Sequence, residues 1–288
     1  MLILVLACTG LSGCDMKRET PATYFDGTAR EAAQAIDAGD IARVRVMIEG
    51  GLPIDQPGRK QVTLLWYAMF KENFDAVKAL TALGSKLDEH MVKGLGTPLH
   101  AALVHRDPRY LQAMLDGGLS PDYQNADGTN LLQWAMLGSD ALDRVKLLVE
   151  RGADVNLHDS IGGIALDEAV DSMHPEIAIY LVEHGSRVDN VLTNGSSTAW
   201  AVHQTLARLQ PGASAAPVTD ISLDGSGKPT ERDKTPPPVS NQDEATNKLR
   251  ADFERLRDLM VSRGVTWPPE APEAVRAQRK AQGLEVAE

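Results

Sequence analysis

The chain has 288 residues, 43% of them hydrophobic and 24% charged, with a formal net charge of −11. This balance supports a folded core and excludes a nucleic-acid binder, which needs a basic surface to displace counterions from phosphate; a basic protein partner is permitted, because opposite fields steer association. Aromatic residues make up only 5%, so a core of Leu, Val, Ile, Ala and Met is expected, and the two cysteines, Cys8 and Cys14, leave no disulfide framework or cysteine metal site in the rest of the chain.

The chain begins "MLILVLACTGLSGC", an apolar run that closes on small residues. It is too short to cross a bilayer comfortably as a mature helix and has the length and ending of a secretory signal. Its last four residues, Leu11-Ser12-Gly13-Cys14, resemble the bacterial lipobox. That resemblance implies a signal peptide over 1–13, cleavage before Cys14, lipidation of Cys14 and loss of Cys8. The implied location is the bacterial cell envelope, lipid-anchored and facing the periplasm. In enteric bacteria an aspartate after the cysteine, here Asp15, tends to hold a lipoprotein in the inner membrane. The polar stretch from Met16 to about Thr23 reads as a short tether, so that anchor and tether fill 14–27.

Internal periodicity comes next. Five segments repeat a glycine followed by a short extended run: "GLPID" from Gly51, "GSKLD" from Gly84, "GLSPD" from Gly118, "GADVN" from Gly152 and "GSRVD" from Gly185. They lie 33 or 34 residues apart, a period that marks stacked helix-pair repeats. "GTPLHAAL" and "VKLLVERGADVN" closely resemble the ankyrin family, directly from Thr28 to Asn194. The resemblance implies an all-α ankyrin-repeat solenoid over 28–209, about six helix-turn-helix repeats in all. Each piece has a physical reason. Thr97 can cap a helix by accepting an orphan backbone N–H. Pro98 suits the first helical position, where its missing N–H costs little. Ala101 and Ala102 let neighbouring helices approach. Gly152 can end a helix in the left-handed conformation, and Asp127-Gly128 reads as a turn. No repeat can bury its apolar face alone, so stacking must make the core.

From 210 to 245 the composition turns to Pro, Ser, Gly, Asp and Thr without an apolar period, as expected of a disordered insertion. Helical spacing resumes with Leu249, Phe253, Leu256 and Leu259-Met260. "SRGVTWP" resembles "ERGADVN", so Ser197–Leu209 and Asn247–Arg263 are expected as the two helices of a sixth repeat, split by the insertion. Residues 246–268 would then form the second helix of a capping repeat, with Arg250, Glu254, Arg255 and Asp258 toward solvent; a separate helical appendage is the alternative. The tail, 269–288, is expected to add a short helix from Pro272 to Gln282.

No H-E-x-x-H, G-x-S-x-G, P-loop or G-x-G-x-x-G arrangement occurs, and "DSIGGIA" reads as an inter-repeat turn. No catalytic residue, cofactor or metal is expected. Aligning the repeats places Trp66, His100, Leu132, Asp167 and Ala199 in one slot, so varied that His100 reads as architecture. Function is expected on the concave side. The family's geometry implies Phe70 and Lys71, Val104 and His105, Met136 and Leu137, Asp171 and Ser172, and His203 and Gln204 on the first helices. It implies Arg59, His90, Met91, Asn125, His158, Asp159 and Asn190 at the fingertips. Exposed Phe70, Met136 and Leu137 would form an apolar patch suited to a protein partner. Ankyrin-type lipoproteins resemble those encoded beside secreted antibacterial lipase effectors, which implies a monomeric immunity protein that occludes such an effector. A general envelope scaffold with an unrelated partner is the alternative, and an enzyme or metal binder the more distant one.

Overall fold

A computed structural model describes residues 17–137, 140–210 and 242–284. Cys14, Asp15, the signal region 1–13 and most of the expected insertion, 211–241, lie outside the described residues. The chain divides into two compact units between Asp154 and Val155. Among the described residues the regular elements are helices, joined by fingers in which only isolated bridges form, such as Val92 with Gly96.

In unit 1, the short helix α1 (Pro21–Tyr24) precedes α2 (Gly27–Asp37) and α3 (Ile41–Glu49). Three further pairs follow: α4 (Leu64–Phe70) with α5 (Phe74–Ala82), α6 (Pro98–Val104) with α7 (Arg109–Asp116), and α8 (Leu131–Trp134) with α9 (Ala141–Glu150). Unit 2 holds α10 (Ala165–Asp171), α11 (Pro175–Glu183), α12 (Thr198–Arg208), α13 (Gln242–Ser262) and α14 (Pro272–Ala281).

The first helix of each pair starts on a side-chain cap. Thr63 accepts from the Trp66 N–H, Thr97 from His100, Asn130 from Gln133 and Ser197 from Trp200, at 3.0–3.3 Å. Two starts differ: Asp26 makes no side-chain cap bond at α2, and at α10 the Ile164 N–H instead donates to Asp167 at 2.9 Å. Each cap satisfies a backbone donor that has no partner inside the helix.

The second helices end alike. The residue after each terminal glycine donates back across the last turn: Ser85 to Leu80, Leu119 to Met114, Ala153 to Leu148, Ser186 to Leu181, at 2.9–3.0 Å. This closure needs a left-handed residue at the glycine, and Gly152 has φ +88°. Val265 donates to Met260 in the same way at 3.2 Å, with Gly264 at φ +101°.

The last residue of each quoted extended run also has a task. Asp55 accepts from the Lys86 N–H, Asp122 from Asp154 and Asn156 from Arg187. Each is a bond from one repeat to the start of the next finger. Asp88 departs from this pattern and accepts from the Thr97 hydroxyl at 3.0 Å.

The cores follow from these closures. Leu64, Leu65, Tyr67, Val77, Leu80, Leu99, Leu103 and Leu111 are buried in unit 1; Leu166, Ile177, Leu181 and Val202 in unit 2. Helix α13 starts at Gln242, five residues before the expected Asn247, and buries Phe253, Leu256 and Met260. It packs on α11 and α12.

The expected tether is corrected over residues 17–26. Tyr24 and Phe25 are buried, with ring centroids 6.1 and 5.7 Å from Tyr67. Two large aromatic side chains cannot remain in solvent beside such a surface without a cost of several kcal/mol, so this segment docks along α4.

Candidate protein-binding surface

The caps supply a register that the sequence alone blurs. With each cap counted as position zero, position three holds Trp66, His100, Gln133, Asp167 and Trp200. The expected Leu132 and Ala199 are each one residue short. Asn130 and Ser197 are the caps in those repeats, and Asn130 forms a reciprocal pair with Gln133, whose Oε1 accepts from the Asn130 N–H at 3.0 Å.

Four of these occupants, Trp66, His100, Gln133 and Asp167, hold a finger or a helix start with their side chains. Trp66 Nε1 donates to the His90 carbonyl at 2.8 Å. The His100 ring lies against Gly96, where a Cβ would come within 2.7 Å of the ring. Asp167 is buried and accepts from Ile164 N–H at 2.9 Å, Asn190 Nδ2 at 2.7 Å and Thr198 Oγ1 at 2.5 Å. Three donors around one buried carboxylate offset its desolvation.

Position six faces the core in four repeats: Met69, Leu103, Met136 and Val170 occupy it and are all buried. In the last repeat it holds His203, which is half-buried. Met136 is therefore corrected: it is 3% exposed and belongs to the core. Its helix is also short, because α8 ends at Trp134. The buried Arg144 turns the chain there, donating Nε to the Ala135 carbonyl at 3.0 Å and Nη2 to the Leu137 carbonyl at 2.6 Å. Burial lowers the Arg144 pKa, an effect opposed by Asp140 and Asp143.

Position seven faces outward. It runs Phe70, Val104, Leu137 in unit 1 and Asp171, Gln204 in unit 2. Val104 is 40% and Leu137 44% exposed. Phe70 is only half-exposed, because Tyr24 of the docked segment lies 6.1 Å from its ring and Trp66 5.5 Å. Met91, 69% exposed, stands at the fingertip ahead of α6. Unit 1 thus presents one apolar side chain at the same position of successive repeats and another on a finger.

The other expected residues divide by their contacts. Lys71 is corrected as a free contact: it donates to the carbonyls of Lys17 at 3.1 Å and Glu19 at 2.6 Å, and pairs with Asp37 at 3.7 Å. Arg59 is likewise engaged, with the Ala22 carbonyl and Asp26. Asn125 accepts from the N–H groups of Asp127 and Thr129, and Asp159 from Ile161 and Gly163. Both shape finger turns with their side chains. Asn190 is buried on Asp167. His90 is half-buried with φ +57°, and its carbonyl serves Trp66.

His105 is exposed; its Nδ1 accepts from the Asp107 N–H at 3.0 Å, and its ring stands edge-on to Tyr110 at 4.7 Å. Tyr110 itself is pushed up to about 12 by burial, with Glu72 and Asp107 adding to the effect. His158, Asp171 and Ser172 are exposed, and His203 and Gln204 half-buried. The His203 ring lies 5.6 Å from Trp200 and 5.5 Å from Trp267. Loss of solvation, then Asp167 and Glu168, raises the Asp171 carboxyl above the ordinary carboxylate value, against the pull of Arg208. Sequence reasoning missed Ile161, 59% exposed on a unit 2 finger. It was read as part of a turn, and the signal was a large apolar residue beside paired glycines.

Comparison with known proteins meets this geometry. A model of the ankyrin-repeat family, described as three copies, matches residues 99–191. Protein PhlB of Serratia liquefaciens is 30% identical over 169 residues, covering 57% of this chain and 73% of that protein. The B-cell lymphoma 3 protein homolog of Mus musculus is also 30% identical, over 167 residues; the match covers 55% of this chain but only 36% of the mouse protein. The solved ankyrin repeat domain of Bcl-3 is 28% identical with a TM-score of 0.47, covering 62% of this chain and 79% of that one. The chain belongs to the ankyrin-repeat proteins. Ankyrin repeats bind other proteins, and that is the class of function they bring here.

Proposed function

We propose that the protein is a lipid-anchored, periplasm-facing binding module of the bacterial envelope. It acts by occupying the surface of a secreted lipase-type effector, as an immunity protein does. The observation that carries the binding role is the row of outward position-seven side chains, Val104 and Leu137, with Met91 on the finger beside them. Apolar groups held outward in register on a rigid repeat frame suit the centre of a protein interface. The lipobox-like Leu11-Ser12-Gly13-Cys14 supports the anchor, and the likeness to protein PhlB of Serratia liquefaciens over most of that protein's length supports a bacterial setting.

The test is capture of the lipase-type protein encoded by an adjacent reading frame, using the full chain as bait. Changing Val104 and Leu137 together to Asp is expected to abolish capture while leaving the melting temperature unchanged. Undiminished capture would remove these side chains from the interface. A lipase-type neighbour that the wild-type chain does not bind would sink the immunity reading.

A further inference from the structure

The docked N-terminal segment leaves little slack ahead of it. Lys71 Nζ donates to the Lys17 and Glu19 carbonyls, and Lys17 Nζ pairs with Glu72 at 2.8 Å. Residue 17 is thereby pinned beside the loop that joins α4 to α5. Farther along, Lys60 pairs with Glu19 at 3.5 Å, and Arg59 holds the Ala22 carbonyl and Asp26. The segment therefore runs along α4 from the helix–helix loop edge to the finger edge. Between Cys14 and Lys17 stand only Asp15 and Met16. Three residue steps of fully extended chain reach roughly 10 Å.

We propose that this short leash holds the helix–helix loop edge of unit 1 against the bilayer surface, with the fingers directed away from it. The proposal rests on the reading of Cys14 as lipidated. The neighbouring loop, from His105 to Pro108, lies on the same edge: Tyr110 Oη reaches the Met69 carbonyl at 3.2 Å, and Glu72 acts on both Arg109 and Tyr110. Arg18 and Arg106 are exposed there, where anionic headgroups would attract them. Met91 stands at the other edge. The seven residues of α4 alone separate the two edges by about 10 Å, and the finger adds to that. Val104 ends α6 and Leu137 follows the end of α8 at Trp134, both toward the loop edge, so a partner that covers them is met beside the membrane plane.

Distance from the membrane can be read directly. The full lipidated chain would be placed in vesicles of phosphatidylethanolamine and phosphatidylglycerol carrying a headgroup quencher. Single fluorescent labels would sit on Asp75→Cys or Arg106→Cys at the loop edge, and on Met91→Cys or Lys93→Cys at the fingers. Loop-edge labels are expected to be quenched severalfold more than finger labels. Inserting a flexible Gly-Ser run between Met16 and Lys17 should erase the difference. Equal quenching, stronger quenching at the fingers, or a difference that survives the insertion would overturn the proposal. Incorporation of labelled fatty acid at Cys14 separates the two claims. Without it the anchor reading fails and takes this proposal with it; with it and equal quenching, the orientation alone fails.

Discussion

Met136 and Leu137 are adjacent in sequence and opposite in consequence, and that contrast tests the repeat register. Met136 is 3% exposed at the core-facing position of its repeat, while Leu137 is 44% exposed at the outward one. Met136→Ala removes a buried side chain and leaves a cavity in the core of unit 1, so a loss of about 2–4 kcal/mol is expected. Leu137→Ala removes a side chain already half in water, so its effect should fall within about 0.5 kcal/mol. Urea unfolding followed by tryptophan fluorescence, with Trp134 beside the site, measures both. The midpoint should drop for Met136→Ala and hold for Leu137→Ala, with unchanged slopes. In partner capture the order should reverse for Leu137→Asp, which should bind weakly and fold normally. Equal destabilisation by the two alanine variants would refute the register and the surface built on it.

Three further changes probe other parts of the frame. Asp167→Ala would strand the Ile164 N–H, Asn190 and Thr198 donors in the interior, and a loss of about 3 kcal/mol is expected by thermal or urea unfolding, with Asp167→Asn in between. Arg144→Met would free the Ala135 and Leu137 carbonyls; about 2 kcal/mol should be lost, and amide exchange after α8 should quicken. Asp171→Asn should stabilise the protein at neutral pH. The folded carboxyl holds its proton more tightly than the unfolded one, whose ordinary value is 3.8, so the folded state binds more protons and stability falls as pH rises through the window above 3.8. The gain from Asp171→Asn should therefore fade as the pH is lowered below that window; a gain that persists in acid would contradict the assignment.

Much of the frame is legible in the sequence because it depends on local chemistry. A glycine that must adopt φ near +90° and an aspartate or asparagine four residues later leave the same mark in each repeat. "GTPLH" is legible for the same reason, since cap, first-turn proline and helix start are neighbours in sequence. Residue-level facing is harder to read. Asn130 and Ser197 cap as well as threonine does, but they do not look like "TPLH", and one residue of slip turns an outward side chain inward. That slip moved Met136 to the surface and put Leu132 and Ala199 in place of Gln133 and Trp200. The docking of Tyr24 and Phe25 was not legible at all. It depends on Lys71, Arg59 and Tyr67, which are 30 or more residues away in sequence, and a short polar-looking segment carries no period that would announce it.

The same register explains where this chain is free to carry a function of its own. Position three closes a finger or a helix start in four repeats, with Trp66, His100, Gln133 and Asp167 acting through different atoms. Position six fills the core with apolar side chains from Met69 to Val170 and gives way to the half-buried His203 only in the last repeat. Position seven makes neither demand, and there the two units diverge: Val104 and Leu137 in unit 1, Asp171 and Gln204 in unit 2. Burial cannot account for that change, because Val104, Leu137 and Asp171 are all exposed. An acidic chain with a net charge of −11 has no folding reason to hold valine and leucine outward at successive copies of a position where it places aspartate elsewhere. Such side chains gain from leaving water, and an occupant that covers unit 1 supplies that gain without altering the frame beneath.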